Sequence, residues 1–479
     1  MVTAQRITAN TSSFMVALVL QKLLSFIYFT ILARTLGPEG TGQYFYAISF
    51  ATMFSVLMDV GLTPVLIREV ARDKEGGIRW FNQIFTLKLF TIFATAILIV
   101  LLDSLIFWSD SVRNLIYLTA AIVTVDSFTL LFYGYIRGRQ SLRFEAWGTI
   151  LFQTIVMIMG LSLMQMTNNV FILLTVLFTA SFVNLVFSWA ILKKKFKLKF
   201  KVHLDKDFIK KIAAITLPFA LAAIFAKIYA YMDTFLIKIF LDDHAVGYYS
   251  IAYKFTFSLQ FIPLAFVAAL YPAFSSYFKD NYDKLQQTFV KAFNYLSFIA
   301  LPITLGIIAL APEVVDKLYT EKFSFSIFPL QVLIASIPFL FVNFSLSSFL
   351  NATNRQKINT RNLGIVMALN VVMNLLLIPR LGIWGASLSS SLSTLLLFIL
   401  NLSSVLRVVK LKLKSFAPLF LSLVSSVAMF LLVYYLKSII AWYFTIVVGI
   451  VVYLVLMLIT GAIKKKDLTF IIKSFTKSG

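Results

Sequence analysis

The sequence predicts an all-α polytopic membrane protein: about fourteen transmembrane helices, in two pseudo-symmetric six-helix lobes plus two C-terminal helices. Three observations carry this. The 479 residues are 60% hydrophobic and 16% aromatic but only 13% charged, and the mean hydropathy of +0.90 lies far outside the range of soluble globular chains. Apolar stretches long enough to cross a hydrocarbon core of about 30 Å as helices recur along the chain, whereas the short alternating segments of an outer-membrane barrel do not. Sequence marks also repeat between the two halves.

The spans are expected near residues 11–33, 43–66, 84–107, 113–135, 147–167, 170–192, 213–240, 245–273, 291–311, 326–350, 362–378, 383–406, 416–436 and 441–463. The first lacks a small-residue cleavage pattern, so it is expected to stay as helix one and not to be removed as a signal peptide. Most of the 43 Lys and Arg sit in loops that alternate onto one membrane face. The positive-inside rule makes that face cytoplasmic, with both termini on the cytoplasmic side of the cell membrane. The net charge of +23 thus reports orientation and not a nucleic-acid partner. Its largest block, "KKKFKLKFKVHLDKDFIKK" from Lys193 to Lys211, is expected to rest on anionic membrane lipids. At the C-terminus, Leu468, Phe470, Ile471, Ile472 and Phe475 lie beside lysines, as in a short interfacial helix.

With no cysteine there is no thiolate site, and the two histidines, His203 and His244, fall in loops on opposite faces. No metal cluster, catalytic set or Gly-rich phosphate loop can be assembled, so neither an enzyme nor a resident cofactor is expected.

Internal symmetry orders the spans. Lys22 lies twenty residues before Gly42 of "GQYFYAI", and Lys227 lies twenty before Gly247 of "GYYSIA"; the same offset of 205 brings Arg34 within one position of Lys238. "RQSLRFEAWG" (Arg139 to Gly148) matches "RQKINTRNLG" (Arg355 to Gly364), and Asn184 precedes Lys193 by nine as Asn401 precedes Lys410. Six helices per lobe is an even number, which makes the repeats parallel, related by an axis along the membrane normal. The expected organisation is an N-lobe at 1–192 (helices 1–6), a basic cytoplasmic linker at 193–212, a C-lobe at 213–406 (helices 7–12), helices 13–14 at 407–463, and a basic amphipathic cytoplasmic tail at 464–479.

A lysine in mid-span costs roughly 3 kcal/mol on insertion scales, so it should face a wet cavity, another charge or a bundle interior. On helix seven Lys227, Tyr231, Thr234 and Lys238 recur at i, i+4, i+7 and i+11, one face of a helix. Helix one offers a shorter stripe, Lys22 with Ser25. Such a stripe suits an anion, because an ammonium is a compact donor that can follow a moving phosphate; pairing with an internal carboxylate, or snorkelling, is the competing reading. Lys254 in helix eight and Lys88 in helix three are open to both. The candidate substrate-binding residues are therefore Lys22, Lys227, Lys254, Tyr231, Ser25 and Thr234, with Arg34 and Lys238 as candidates for a mouth or gate.

Four carboxylates lie within spans. Asp126 and Asp233 are candidates for proton or sodium coupling, with static ion pairing as the competing role. Lys88 lies at a height suited to Asp126, and Asp233 sits on a different face of helix seven from Lys227. Asp59 is expected to organise the inner end of helix two against Arg68 or Arg72, and Asp103 to be solvated near the outer end of helix three.

The segments "ILARTLGPEGTGQYFYAISF" and "DVGLTPVLIREVAR", with "LAPEVVDKLYTEKFSFSIFPLQVL" further on, resemble the polysaccharide transporters (Wzx-type flippases) of the multidrug/oligosaccharidyl-lipid/polysaccharide exporter superfamily. The resemblance covers nearly the whole chain. It implies a V-shaped, alternating-access carrier with a cationic central cavity, which turns a polyprenyl-pyrophosphate-linked oligosaccharide to the outer leaflet, in some members with ion coupling. It also implies work alongside a polysaccharide polymerase and glycosyltransferases. Two alternatives stay open: a cation-coupled multidrug exporter, which facing lysines would oppose, and a non-transporting scaffold for polysaccharide assembly.

Overall fold

A computed structural model describes residues 4–73, 76–106, 109–202, 205–409 and 416–462. His203, Lys410 and the expected tail helix at 464–479 lie outside the described residues. The helices are α1 (Ala4–Asp59), α2 (Leu62–Arg72), α3 (Gly77–Leu105), α4 (Asp110–Gly138), α5 (Arg143–Met164), α6 (Val170–Lys194), α7 (Lys206–Phe240), α8 (Asp243–Leu259), α9 (Phe261–Asp280), α10 (Tyr282–Tyr319), α11 (Ile327–Ala335), α12 (Ile337–Ala352), α13 (Gln356–Leu381), α14 (Ile383–Leu406), α15 (Ala417–Leu436) and α16 (Trp442–Ile459), with a 3-10 turn at Glu321–Ser326. Among the described residues there is no strand.

Among the described residues, thirteen stretches are long and apolar enough to cross a membrane. The first, Ala17–Asp59, is interrupted at Gly37 (φ 68°, ψ −176°) ahead of Pro38, and so holds two of the fourteen expected spans. Proline lacks the amide proton and disfavours helical geometry in the residue before it, and glycine takes the positive φ at no steric cost. Asp243–Asp280 and Glu321–Ala352 are each a single span assembled from successive helices. The chain is a multi-pass membrane protein.

One expected boundary is corrected. The span expected to reach residue 66 stops at Asp59, because Val60 (φ 42°) and Gly61 (φ 74°) both turn into the left-handed region. A separate helix, α2, then buries Leu62, Val65, Leu66 and Val70 and leaves Arg68 and Arg72 outward. That spacing is the amphipathic pattern of an interfacial helix and not of a span.

The chain forms two compact units. The first comprises Met1–Ser250 with Met367–Ala386. One of its cores is aromatic: Phe81 packs against Phe85, Phe132, Tyr135 and Phe200, over Leu62, Val65 and Leu66 of α2. A second core joins Tyr28 and Leu32 of α1 to Val156 of α5 and Leu173 and Leu174 of α6. The second unit comprises Ile251–Val366 with Ser387–Gly479. There α15 and α16 pack on α10 through Phe298, Leu310, Met429, Val433, Tyr453 and Met457. The Tyr453 hydroxyl donates to the Phe298 carbonyl (2.8 Å).

The two asparagines singled out by the repeat both make polar contacts between helices. In the first unit Tyr133 Oη donates to Asn184 Oδ1 (2.6 Å). In the second, Asn401 Nδ2 donates to Asn343 Oδ1 (2.8 Å), and Asn362 Nδ2 donates to Asn401 Oδ1 (2.9 Å). Replacing Asn401 by leucine is expected to lower unfolding stability in detergent by about 0.6–2 kcal/mol, the range for polar contacts between membrane helices. An unchanged denaturation midpoint would show that the network contributes nothing net.

Candidate functional site

Of the stripe expected on α7, the structure sets Lys227 Nζ 5.4 Å from the ring centroid of Tyr231, within cation–π range. Thr234, one turn on, is buried. Lys227 is half-buried, as are Lys22 and Ser25 on α1. The two helices pack against each other in the first unit, with Phe50 of α1 on Phe235 of α7 at 6.0 Å. Helices carrying the paired lysines are therefore neighbours. Lys254 is half-buried on α8 and belongs to the second unit, where Ser258 Oγ donates to its carbonyl (2.6 Å).

At the end of α7, Lys238 Nζ donates to Asp243 Oδ1 (2.6 Å), and Gln43 Nε2 of α1 reaches Asp243 Oδ2 (3.4 Å). The same carboxylate thus ties α7, α8 and α1 together. Beside it the backbones cross closely. A Cβ on Gly42 would sit 1.7 Å from the Asp243 carbonyl oxygen, and one on Gly247 would sit 2.0 Å from that of Pro38. Both glycines mark the repeat in the sequence, and the reason for glycine is this contact: any side chain would occupy the partner backbone. Arg34 is exposed on α1.

Asp233 is buried and accepts from Tyr249 Oη (2.7 Å) and Asn374 Nδ2 (2.5 Å); the same amide also donates to Asn370 Oδ1 (3.1 Å). The carboxylate is thus held at a junction of α7, α8 and α13. Sequence reasoning passed over Asn370 and Asn374, although two amides four apart in an apolar span were the available signal. Asp126 is half-buried on α4 beside Ser181 of α6.

Three expectations for charged residues are corrected. Lys88 meets Asp59 (2.5 Å), not Asp126. Asp59 is organised by that lysine and by Thr63, whose hydroxyl (2.5 Å) and backbone N–H (3.3 Å) both donate to it, and not by Arg68 or Arg72. The turn at Val60–Gly61 carries α2 away at an angle that leaves both arginines outward. Asp103 is not solvated: 6% exposed, it accepts from Tyr117 Oη (2.7 Å) and pairs with Arg113 (3.0 Å). Among the described residues, no three of His, Cys, Asp and Glu form a group able to hold a metal ion.

This arrangement offers an ammonium-bearing, aromatic-backed helix face inside a membrane bundle, suited to an anion with an attached sugar or lipid. Residues 7–278, more than half of the chain, match the family model described as polysaccharide biosynthesis protein. The chain belongs to the polysaccharide biosynthesis protein family. A second model, MatE, matches residues 218–376.

The chain is 21% identical to the Probable low-salt glycan biosynthesis flippase Agl15 of Haloferax volcanii, over 77% of each chain. It is also 21% identical to the capsular polysaccharide biosynthesis protein CapF of Staphylococcus aureus, over 80% of this chain and 95% of that one. Its fold matches that of the lipid II flippase MurJ in an inward closed conformation, with a TM-score of 0.78 over 95% of this chain and 99% of that one at 16% identity. At that identity the match speaks for the fold.

Proposed function

We propose that the chain is a flippase that moves a polyprenyl-pyrophosphate-linked oligosaccharide across the cell membrane by alternating access during surface polysaccharide biosynthesis. The observation that carries this is the half-buried Lys227 over Tyr231, on a helix packed against the one that bears Lys22. Membrane insertion makes such lysines expensive, and a pyrophosphate moving between leaflets is a ligand that repays them. The names of the relatives support the substrate class, and the MurJ-like fold supports a carrier. A cationic stripe disfavours export of cationic drugs. In this reading both termini are cytoplasmic, two six-helix lobes at 1–192 and 213–406 rock about the substrate, and a polymerase and glycosyltransferases act alongside. Proton or sodium coupling is assigned to Asp126 or Asp233.

The test is transbilayer movement of a fluorescent polyprenyl-pyrophosphate oligosaccharide in proteoliposomes. Loss of a charge-assisted hydrogen bond is worth about 1.5–3 kcal/mol. Lys22→Ala and Lys227→Ala should therefore each slow movement by roughly ten- to hundredfold, with folding and insertion intact. Unchanged rates in both variants and in their combination would sink the site. No movement by the intact parent, together with transport of a cationic dye, would return the drug-exporter reading.

A further inference from the structure

The basic linker is more than a string of solvated charges. In residues 196–201, "FKLKFK", apolar residues and lysines alternate strictly, and in an extended segment that period sends successive side chains to opposite sides. Phe196 and Phe200 join the aromatic core around Phe81 and Tyr135, and Leu198 between them is 3% exposed. Lys197, which takes a positive φ of 49°, and Lys199 and Lys201 are left exposed. Two side-chain amides near the start of α3 fasten this strip: Asn82 Oδ1 accepts from the Lys201 N–H (3.1 Å), and Gln83 Oε1 from the Asp205 N–H (3.1 Å).

Between strip and helix lies a cavity of about 790 Å³, lined by Lys197, Lys199, Lys201, Arg79, Asn82 and Gln83, with Ile78 and Val202 also at its wall. Gln83 is 1% exposed, and its Nε2 has no hydrogen-bond partner among the described residues. A buried amide donor left unmade costs about 1–3 kcal/mol, so its presence in a cavity wall calls for an acceptor. Four cations face one carboxylate, Asp205, which lies 3.5 Å from Arg79 and is itself partly exposed. The cavity also adjoins the N-terminus of α3, where the helix dipole favours negative charge.

We propose that this cavity is a phosphate-binding site, sharing no residue with the α7 stripe, that takes the phosphodiester headgroup of an anionic lipid or a soluble phosphate of the same chemistry. Guanidinium, ammonium groups and the Gln83 amide supply donors to the phosphate oxygens. Ile78 and Val202, 38% and 73% exposed, offer an apolar edge that a lipid would cover.

Two probes distinguish the sources. Delipidated full-length protein is titrated with phosphatidylglycerol, and separately phosphatidylcholine, under native mass spectrometry, and with inorganic pyrophosphate by calorimetry. The parent is compared with the combined Lys197→Gln, Lys199→Gln and Lys201→Gln variant, and with Gln83→Leu. The difference between parent and triple variant removes any binding at the lysines of α1 and α7. The site predicts that phosphatidylglycerol or pyrophosphate binds the parent at least about tenfold more tightly than the triple variant, as for loss of charge-assisted contacts. It also predicts that Gln83→Leu weakens the same probe with all lysines in place. Preference for phosphatidylglycerol alone names a lipid headgroup; displacement of that lipid by pyrophosphate names a soluble phosphate. If neither probe distinguishes the parent from the triple variant, or Gln83→Leu binds as the parent does, there is no built site.

Discussion

Lys88→Met is expected to destabilise the protein by about 3–5 kcal/mol, the cost of breaking a buried ion pair from one side. Lys88 is fully buried on α3, and its ammonium lies 2.5 Å from Asp59, whose side chain is only 16% exposed. Removing the lysine leaves that carboxylate with the two donors of Thr63 and no counter-charge in a membrane bundle. Asp59→Asn in the same chain should recover most of the loss, because a neutral amide requires no cation. Denaturant unfolding in micelles reads both effects. Equal midpoints for the parent and Lys88→Met would overturn the assignment, and failure of the double variant to recover would place the cost in packing around α3.

Gly42→Val should part α1 from α8. Its Cβ alone would lie 1.7 Å from the Asp243 carbonyl oxygen and 2.9 Å from the Gly247 nitrogen; both are backbone atoms that no rotamer change can move aside. Overpacking a tight contact costs about 1–3 kcal/mol, enough to push the two backbones apart. The native chain has no cysteine, so Gln43→Cys with Asp243→Cys would form the sole disulfide. Crosslinking should be efficient in that pair and fall at least severalfold when Gly42→Val or Gly247→Val is added. Equal yields would mean that the crossing is loose enough to admit a side chain.

Much of this was legible in the chain. Length and hydropathy located the spans among the described residues, apart from the end of the second, since twenty apolar residues in a row have few other uses. The α7 stripe was visible as spacing, and the structure puts Lys227 over Tyr231. Partners were less legible. Asp59 and Lys88 are 29 positions apart, and only the turn at Val60–Gly61 decides that Lys88, and neither Arg68 nor Arg72, meets the carboxylate. Asp103 looked like a surface residue from its place near a span end; Tyr117 and Arg113 come from the next helix, and their approach is a matter of packing. The same holds for Asn374, an unremarkable amide until α13 is laid beside Asp233. Periodicity reports the face a residue occupies, whereas its neighbour across the gap depends on how helices cross.

The crossing at Gly42 and Gly247 carries one more consequence. With the 205-residue offset, Pro38 corresponds to Asp243 as Gly42 does to Gly247. Gly42 approaches the carbonyl of residue 243, and Gly247 approaches the carbonyl of residue 38. This reciprocity, in which i meets j and j meets i, is what defines an isologous seam between identical subunits. Were the two halves separate copies of one shorter chain, a single bulky substitution would strike both sides of the seam at once. In this chain each position can change alone, yet both hold glycine.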